Sequence, residues 1–343
     1  MLRKLLLGLI GGLLSLALLA GTVWMGLNWY GDQKILATQE EPFVVQAGDS
    51  LGRIAVRLAD KGIIEHPQVF KLLARMDKQG TSLQAGDYLI SPDLSHRELL
   101  NVFVEGQVRY YSATLIEGHT LNEALQTLNE HPKLTQPLPL KALAELVDEK
   151  EPHDNLEGLF YPDTYSFEAG ATVESVMRMA HERLDHVLAE EWQNRQKGLP
   201  YKTPYEALIM ASIIEKETGV PEERPDIAGV FVRRLSKKMR LQTDPTVIYG
   251  MGDRYEGKLN RRMLRTYTPY NTYVIKGLPP TPIALVGREA IHAALHPAKG
   301  ETLYFVARGD GTHYFSTTLA EHNRAVRKYQ IAERREDYRS TVE

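Results

Sequence analysis

The chain contains no cysteine among its 343 residues, which excludes disulfide frameworks and mechanisms that depend on a thiolate. That absence suits a compartment in which thiols would be oxidised. The chain also has no large excess of charge of one sign, because its 41 lysines and arginines nearly balance its 44 aspartates and glutamates and leave a net charge of −3. Nucleic acid is therefore not an expected partner. Fixed-period repeats and low-complexity tracts are absent too, so the composition indicates a globular chain of two or three domains.

An uncharged apolar run occupies the N-terminus, where 23 residues extend from Leu5 to Leu27. At about 1.5 Å per residue, a helix of this length exceeds the roughly 30 Å hydrocarbon core of a bilayer. A cleaved signal peptide is the alternative, but its apolar region is typically about 7–15 residues long. Arg3 and Lys4 precede the run, and Trp24 and Trp29 lie near its other end. They predict an uncleaved membrane helix whose N-terminus is cytoplasmic.

The region after this run carries the signals of a small module. A short strand, a Gly-Asp turn, two helical patterns and a closing strand give the order βααβ. Ser50 is the predicted N-cap of the first helix, and Leu51, Ile54, Ala55 and Leu58 form its inward stripe. Farther along, amphipathic helices alternate with short strands. The expected fold class is therefore α+β.

The segment TPYEALIMASIIEKETG predicts a buried helix whose last turn carries two carboxylates. Thr203 is the predicted N-cap, Pro204 occupies the first helical position, and Glu206 completes a capping box. Gly219 is the predicted stop signal. The residues between these signals are apolar on nearly every side, so a core position is expected.

Glu215 and Glu217 stand on different faces of this helix. The small residues Ala211 and Ser212 lie one turn below Glu215 and would leave room for a ligand, whereas Glu217 stands over two isoleucines. The plain alternative is that the last turn has simply reached solvent. However, a helix C-terminus and apolar neighbours both disfavour an ionised carboxylate. The pattern therefore indicates that Glu215 is a general acid and Glu217 a supporting or surface residue.

Polar and aromatic side chains follow in two downstream segments. LQTDPTVIYG is predicted as a short strand or loop with Gln242, Thr243 and Asp244 at its tip, and YNTYVIKGLPPTPI as a rigid loop bearing Asn271 and Tyr273. Such side chains are typical of a sugar cleft, although core tyrosines are commoner than stacking ones. Asp244 is equally suited to capping a turn ahead of the proline that follows it.

Two histidine pairs are the remaining candidates for a site. His292 and His296 have the i, i+4 spacing of metal ligands, but no glutamate completes an H-E-x-x-H motif between them. His181 and His186 lie on the charged face of an amphipathic helix, which predicts a solvated surface. We expect neither a metal nor a cofactor.

Six short motifs together resemble the YceG-like (MltG-type) endolytic murein transglycosylases. They are ASIIEKETG, RLQTDPTVIYG, YNTY, GLPP, HPA and LYFV, and the match runs from about Leu156 to Tyr329. In that family the first glutamate of E-K-E is catalytic, which corresponds to Glu215. The upstream module is similar to the glycan-binding LysM module in Val45, Gly48, Asp49, Ser50, Leu51, Ile54 and Ala55 and in the closing LQAGDYLI. A purely structural module is the alternative.

The resemblance implies a substrate, a reaction and a place in the cell. The family cuts the β-1,4 bond between N-acetylmuramic acid and N-acetylglucosamine within nascent strands, and leaves 1,6-anhydromuramic ends without consuming water. One carboxyl group suffices, because the C6 hydroxyl of the substrate is the nucleophile. Gln242, Thr243, Asp244, Asn271 and Tyr273 are then candidates for orienting the glycan, with Glu217 beside them. Peptidoglycan strands and the bacterial inner membrane are the expected partners, with peptidoglycan synthases as further candidates.

Two other functions are compatible with the residues alone. A hydrolytic muramidase would use Asp244 or Glu217 as a second carboxylate, and a membrane-anchored glycan scaffold would use none. The predicted segments are residues 1–30 for the cytoplasmic tip and membrane helix, 31–42 for a linker, 43–106 for the LysM-like module, 107–155 for a connecting α/β segment and 156–343 for a periplasmic catalytic domain.

Overall fold

The structure is a computed structural model, and it describes residues 2–80, 82–147, 155–333 and 335, with side chains from residue 6 onwards. It divides into two compact units. Unit 1 comprises Met1–Tyr111 and Phe167–Gly170, and unit 2 comprises Ser112–Ser166 and Ala171–Glu343. Helices and strands mix in the chain, which confirms the predicted α+β class. The predicted connecting segment contains a 3₁₀ helix, Leu140–Glu145, and residues 148–154 lie outside the described part.

Helix α1, Leu2–Asp32, contains the predicted apolar run. Among the described residues it is the one helix long and apolar enough to cross a membrane, over Leu6–Asp32. The leucines of this helix from Leu6 to Leu19 are exposed. Its length and surface fit a bilayer, which is the environment that buries such side chains.

The rest of unit 1 is built on one antiparallel strand pair with helices against it. β1 pairs with β2 so that Phe43 lies opposite Tyr88, and these rings contribute to a core that includes Ile54, Leu58 and Phe103. The predicted βααβ order is therefore present. The elements of unit 1 after α1 are β1 (Glu41–Val45), α2 (Leu51–Asp60), α3 (Pro67–Met76), β2 (Gly86–Ile90) and α4 (His96–Glu105).

The first of the two module helices begins as the sequence predicts. The Ser50 hydroxyl accepts the Arg53 N–H, which satisfies one of the free amides at the start of α2. Ile54 and Leu58 are fully buried, whereas Leu51 is only half-buried at the edge of the core.

The segment between α1 and β1, predicted as a linker, is bonded to the core of unit 1. The Gln33 carbonyl accepts the N–H of His96 at 3.0 Å and lies 2.8 Å from its ring Nδ1. Ile35 is buried and donates its N–H to the Leu94 carbonyl at 3.0 Å. α1 thus enters unit 1 through an ordered connection.

In unit 2 the buried helices α7 and α10 pack against each other. Two further strand pairs, β3 with β4 and β5 with β6, make two-stranded sheets. Both β3 (Tyr110–Thr114) and β4 (Thr164–Glu168) cross the division between the two units. The other elements of unit 2, in chain order, are α5 (Leu121–Asn129), α6 (Val173–Gln193), α7 (Pro204–Glu217), α8 (Arg224–Ser236), α9 (Asp244–Met251), α10 (Arg288–Leu295), β5 (Tyr304–Ala307), β6 (His313–Ser316) and α11 (Leu319–Val326).

Two local predictions in unit 2 are wrong. Asp244–Met251, expected as a strand or loop, is helix α9, because the proline near its start and Asp244 in its first turn favour a helix N-terminus. His181, expected on a solvated face of α6, is buried and its Nδ1 contacts the Leu159 carbonyl at 2.9 Å. His186 on the same helix is exposed, as expected.

Candidate active site

Helix α7 carries both candidate acids at its C-terminal end. The Thr203 hydroxyl accepts the Glu206 N–H, as predicted, but the Glu206 carboxylate accepts from Lys202 and leaves the capping box open. The helix ends at Thr218 in an extended conformation, so Gly219 is not the left-handed cap that was expected. All residues from 207 to 214 are buried, which confirms the predicted core position.

The Glu215 carboxylate is held by two donors from separate segments. Its Oε1 lies 3.3 Å from Arg224 Nη2, and its Oε2 accepts the backbone N–H of Gly287 at 3.0 Å. The side chain is only 5% exposed. Glu215 is therefore fixed in one orientation within a nearly closed setting.

The small residues below Glu215 do not leave open space. Ala211 and Ser212 are fully buried, and the Ser212 hydroxyl accepts the Ile283 N–H at 3.0 Å. The segment 281–287 thus fills the volume in which we expected a ligand. That part of the prediction is wrong, because helical phase shows which residues share a face but not which distant segment covers it.

The backbone near residue 118 completes the surroundings of Glu215. Gly118 donates its backbone N–H to the Leu285 carbonyl at 2.9 Å, and Leu285 donates its own N–H to the His119 carbonyl at 2.8 Å. The Gly118 carbonyl accepts Lys216 Nζ at 2.9 Å.

Burial is the main influence on the protonation of Glu215. It raises the pKa of this carboxyl group, and the nearby charges of Glu117 and Glu289 raise it further, whereas Arg224 and the Gly287 N–H lower it. The ionised form is thus disfavoured by its surroundings while two donors still orient it. A carboxyl group in this state can deliver a proton at a higher pH than a solvated glutamate can.

Glu217 has its own set of partners on the other side of the helix end. The Thr243 hydroxyl donates to its carboxylate. Burial raises the pKa of Glu217 to about 7, with the Thr243 bond and Arg234 lowering it and Asp244 raising it. Glu217 is therefore a second carboxyl group suited to proton transfer, rather than a plain surface residue.

The other predicted glycan contacts gather around Glu217. The Tyr273 hydroxyl donates to Asp244 at 2.7 Å, and Asp244 is exposed. Gln242 is exposed as well and has a positive φ of 54°, which few residues other than glycine adopt. Such strain is found most often at functional positions, so it favours a role for Gln242 in binding.

Asn271 is fully buried and serves the backbone around it. Its Nδ2 donates to the carbonyls of Met263 at 3.1 Å and Thr266 at 2.7 Å, and its Oδ1 accepts the Tyr273 N–H at 3.0 Å. These bonds occupy both ends of the amide. In this structure Asn271 shapes the site and does not face it.

The two histidines with metal-ligand spacing do meet a carboxylate. Potential ligand atoms of Glu191, His292 and His296 lie within 4.8 Å of one another. However, Glu191 binds Arg288 at 2.9 Å and His292 at 2.8 Å, and the nitrogens of His296 contact two backbone carbonyls. These contacts account for the group as packing between α6 and α10.

Sequence reasoning missed the charged residues that surround Glu215. Glu117, Arg224 and Glu289 come from three separate parts of the chain. None stands in a motif that we singled out, and no local spacing links them to Glu215. Only the helix start at Arg224, marked by the proline after it, is a readable signal.

Comparison with known proteins identifies relatives over most of the chain. An endolytic murein transglycosylase from Bacillus subtilis (strain 168) is 31% identical over 83% of this chain and 83% of its own length. One from Streptococcus pneumoniae (strain D39) is 26% identical over 92% of this chain but only 64% of its own length. A crystal structure of a yceG-like protein from Listeria monocytogenes is similar with a TM-score of 0.52 and 32% identity, and covers 84% of this chain and 99% of that one.

The family comparison gives the same result over a continuous range. The YceG-like family matches residues 43–328, which include most of both units and all the candidate site residues. This chain belongs to the YceG-like family.

Proposed function

We propose that this chain is a membrane-anchored endolytic lytic transglycosylase of peptidoglycan. It cleaves the β-1,4 bond between N-acetylmuramic acid and N-acetylglucosamine inside nascent glycan strands and so ends their elongation. The names of the Bacillus and Streptococcus relatives support the reaction class. Glu215 is the residue to which we assign the proton transfers.

The observation that carries this assignment is a buried carboxyl group that is fixed in orientation and favours its protonated form. Glu215 is 5% exposed, bonded to Gly287 and paired with Arg224. Protonated, it donates to the glycosidic oxygen while the bond from that oxygen to the anomeric carbon breaks. The resulting carboxylate then takes the proton of the C6 hydroxyl as C6 oxygen bonds to the anomeric carbon. No water enters, so a single carboxyl group completes the reaction.

Glu215→Gln and Glu217→Gln in the full chain test this assignment. Glutamine keeps the size and most hydrogen bonds of glutamate but has no proton to transfer. General acid–base assistance contributes about 10²–10⁴-fold, so Glu215→Gln should lose activity near the upper end of that range. Glu217→Gln should lose far less. The measurement is formation of anhydromuropeptides from uncrosslinked strands, with the fold of each variant checked by its unfolding midpoint.

A reversed result would assign the acid to the other carboxylate. The pKa of about 7 and the Thr243 bond make Glu217 the natural competitor. If the Glu217 variant is inactive while the Glu215 variant keeps near-normal turnover, our assignment is wrong.

Hydrolysis is the second candidate reaction, and one observation favours it. Glu117 is a half-exposed carboxylate close to Glu215, and two carboxylates are what an ordinary glycosidase uses. Product mass separates the two reactions, because a hydrolysed end carries one more water than an anhydro end. We expect the anhydro product alone.

The exposed apolar surface of α1 supports anchoring in the bacterial inner membrane, and we place the residues after α1 on the periplasmic side. We assign a LysM-like positioning role on glycan to residues 43–106, since their βααβ order fits that module. Peptidoglycan synthases remain candidate partners, because a nascent strand is also their product.

A further inference from the structure

Arg224 connects three carboxylates that come from three parts of unit 2. Its Nη2 lies 3.3 Å from Glu215 Oε1 on α7 and 4.0 Å from Glu117 Oε2 in the segment before α5. Its Nη1 binds Glu289 in the first turn of α10. One guanidinium therefore faces three carboxylates, and full ionisation would leave two negative charges without a counter-charge inside the group.

No other cation in the described surroundings balances this excess. Lys216, next to Glu215, directs its Nζ to the Gly118 carbonyl at 2.9 Å. Arg288, next to Glu289, pairs instead with Glu190 at 2.7 Å and with Glu191. Mutual repulsion in the group is thus relieved most readily when one carboxyl group takes up a proton.

Burial decides which carboxyl group takes the proton. The side chains of Glu117 and Glu289 are 50% and 69% exposed, so water stabilises their charge. The Glu215 side chain is 5% exposed and loses that stabilisation. A shared proton therefore resides on the buried member of the group.

Gly287 lies against the carboxylates of both Glu117 and Glu215. A Cβ atom at position 287 would overlap the Glu117 carboxylate, so this carboxylate lies directly against the backbone whose N–H binds Glu215. The two glutamates thus approach the start of α10 together. Their proximity depends on glycine at this position.

From this arrangement we infer that Glu117, Arg224 and Glu289 are positioning residues that control the proton of Glu215. The two exposed carboxylates hold the proton on Glu215, and Arg224 opposes them while it fixes the direction of the acid. The inference rests on the proposed role of Glu215. It has a distinctive consequence. The exposed carboxylates and Arg224 shift the pKa of Glu215 in opposite directions.

The signs follow from which form of Glu215 is needed. Bond cleavage begins with the protonated acid, so kcat/KM falls as the pH rises through the pKa of Glu215 in the free enzyme. Removing the cation at 224 raises that pKa and moves the alkaline fall to higher pH. Removing a carboxylate at 117 or 289 lowers it and moves the fall to lower pH, partly because Arg224 then has one fewer carboxylate competing with Glu215.

The experiment compares pH profiles of kcat/KM for the full chain in detergent with Arg224→Gln, Arg224→Lys, Glu117→Gln and Glu289→Gln. An opposite charge at this range is worth about 1–3 pH units, so Arg224→Gln should move the alkaline fall upward by about that much. Arg224→Lys should restore most of the wild-type position, because it keeps the charge. The two carboxylate variants should move the fall downward by less, since solvent screens exposed groups. Arg178→Gln, which removes an exposed ion pair with Glu174 on α6, is the matched control and should move nothing.

The outcomes separate this inference from the proposed function. If Glu215→Gln is inactive but the variants change only the height of the profile, or shift it in one common direction, the three residues are merely structural and the inference fails. If Arg224→Gln does not fold, Glu117→Gln and Glu289→Gln decide the question. An alkaline fall of kcat/KM at the wild-type pH in both variants would overturn the inference. Near-normal turnover by Glu215→Gln would overturn the proposed function, and this inference with it.

Discussion

Within the described part of the chain, burial raises the pKa of three carboxyl groups, on Glu157, Glu215 and Glu217. These carboxyl groups have different neighbours, and we assign them different roles. Glu215 and Glu217 lie at the end of α7, next to exposed polar groups, whereas Glu157 is 4% exposed and accepts hydrogen bonds from the Leu121 N–H and the Tyr249 hydroxyl. A raised pKa therefore occurs both at candidate catalytic residues and at structural ones, and the contacts of each residue distinguish the two cases.

Glu157→Gln should make the stability of unit 2 less dependent on pH. Glu157 accepts the Leu121 N–H at 2.8 Å and the Tyr249 hydroxyl at 3.1 Å, yet burial raises its pKa from 4.5 to about 7. The folded state thus favours the protonated form. Its contribution is fully present below the ordinary pKa of about 4.5 and is lost as the pH rises through about 7. The loss is on the order of 3 kcal/mol between these limits.

Chemical denaturation at pH 5 and at pH 8 measures this effect. Wild type should lose free energy of unfolding between the two conditions, and Glu157→Gln should lose less. Glu174→Gln, an exposed change on α6, is the control and should follow wild type. Equal losses in all three proteins would show that Glu157 is ionised at both pH values or bound as well in either form.

Glu215 shows how much of the candidate site could be predicted from the sequence at the level of single residues. Its position on the helix, its buried surroundings and its likeness to the family residue could be read from a single segment. The charged neighbours could not, since Glu117 and Glu289 lie far away in sequence, and the Ser212–Ile283 bond joins residues 71 positions apart. Such contacts exist only once the chain has folded.

At the scale of elements, strong local signals were read correctly and weak ones were not. Helices that open with Ser50, Thr120, Thr172 and Thr203 have a side-chain cap, which local spacing predicts. Helix α9 was missed because its β-branched and aromatic residues are typical of strands. A tertiary contact adds to the local signals at its start, since Thr246 is fully buried and its hydroxyl lies 2.8 Å from that of Thr272.

Asn271→Ala should loosen the segment that precedes it. The Asn271 amide bonds the Met263 and Thr266 carbonyls and is fully buried, so the change leaves these carbonyls without their donor. An unsatisfied buried group costs about 1–3 kcal/mol. We expect a lower free energy of unfolding and faster proteolysis within residues 252–267, with Asn271→Asp as a variant that keeps the shape and loses the donor. Unchanged stability with a raised KM would mean that Asn271 contacts the glycan directly.

At the scale of the whole molecule, we propose that the N-terminal helix anchors the chain in the membrane. α1 continues to Asp32 without a break, and the next residues bond to the rest of unit 1 through Gln33 and Ile35. If α1 spans the bilayer, this connection keeps the βααβ module that follows it close to the membrane surface. The apolar run and its flanking residues were readable from the sequence, but the ordered connection was not, because polar composition alone does not distinguish a packed segment from a free one.

The proposed topology rests on charge and on the exposed surface of α1. Trp24 and Trp29 are 60% and 67% exposed, as expected at one membrane interface, and the basic pair Arg3–Lys4 predicts that the other side is cytoplasmic. A C-terminal fusion to a reporter that is active only in the periplasm should therefore be active, and one active only in the cytoplasm should be silent. Arg3→Glu combined with Lys4→Glu removes the basic pair and should lower the fraction of correctly oriented protein. A cytoplasmic reporter that is active on the unaltered chain would contradict this topology, because the substrate that we propose lies across the membrane from it.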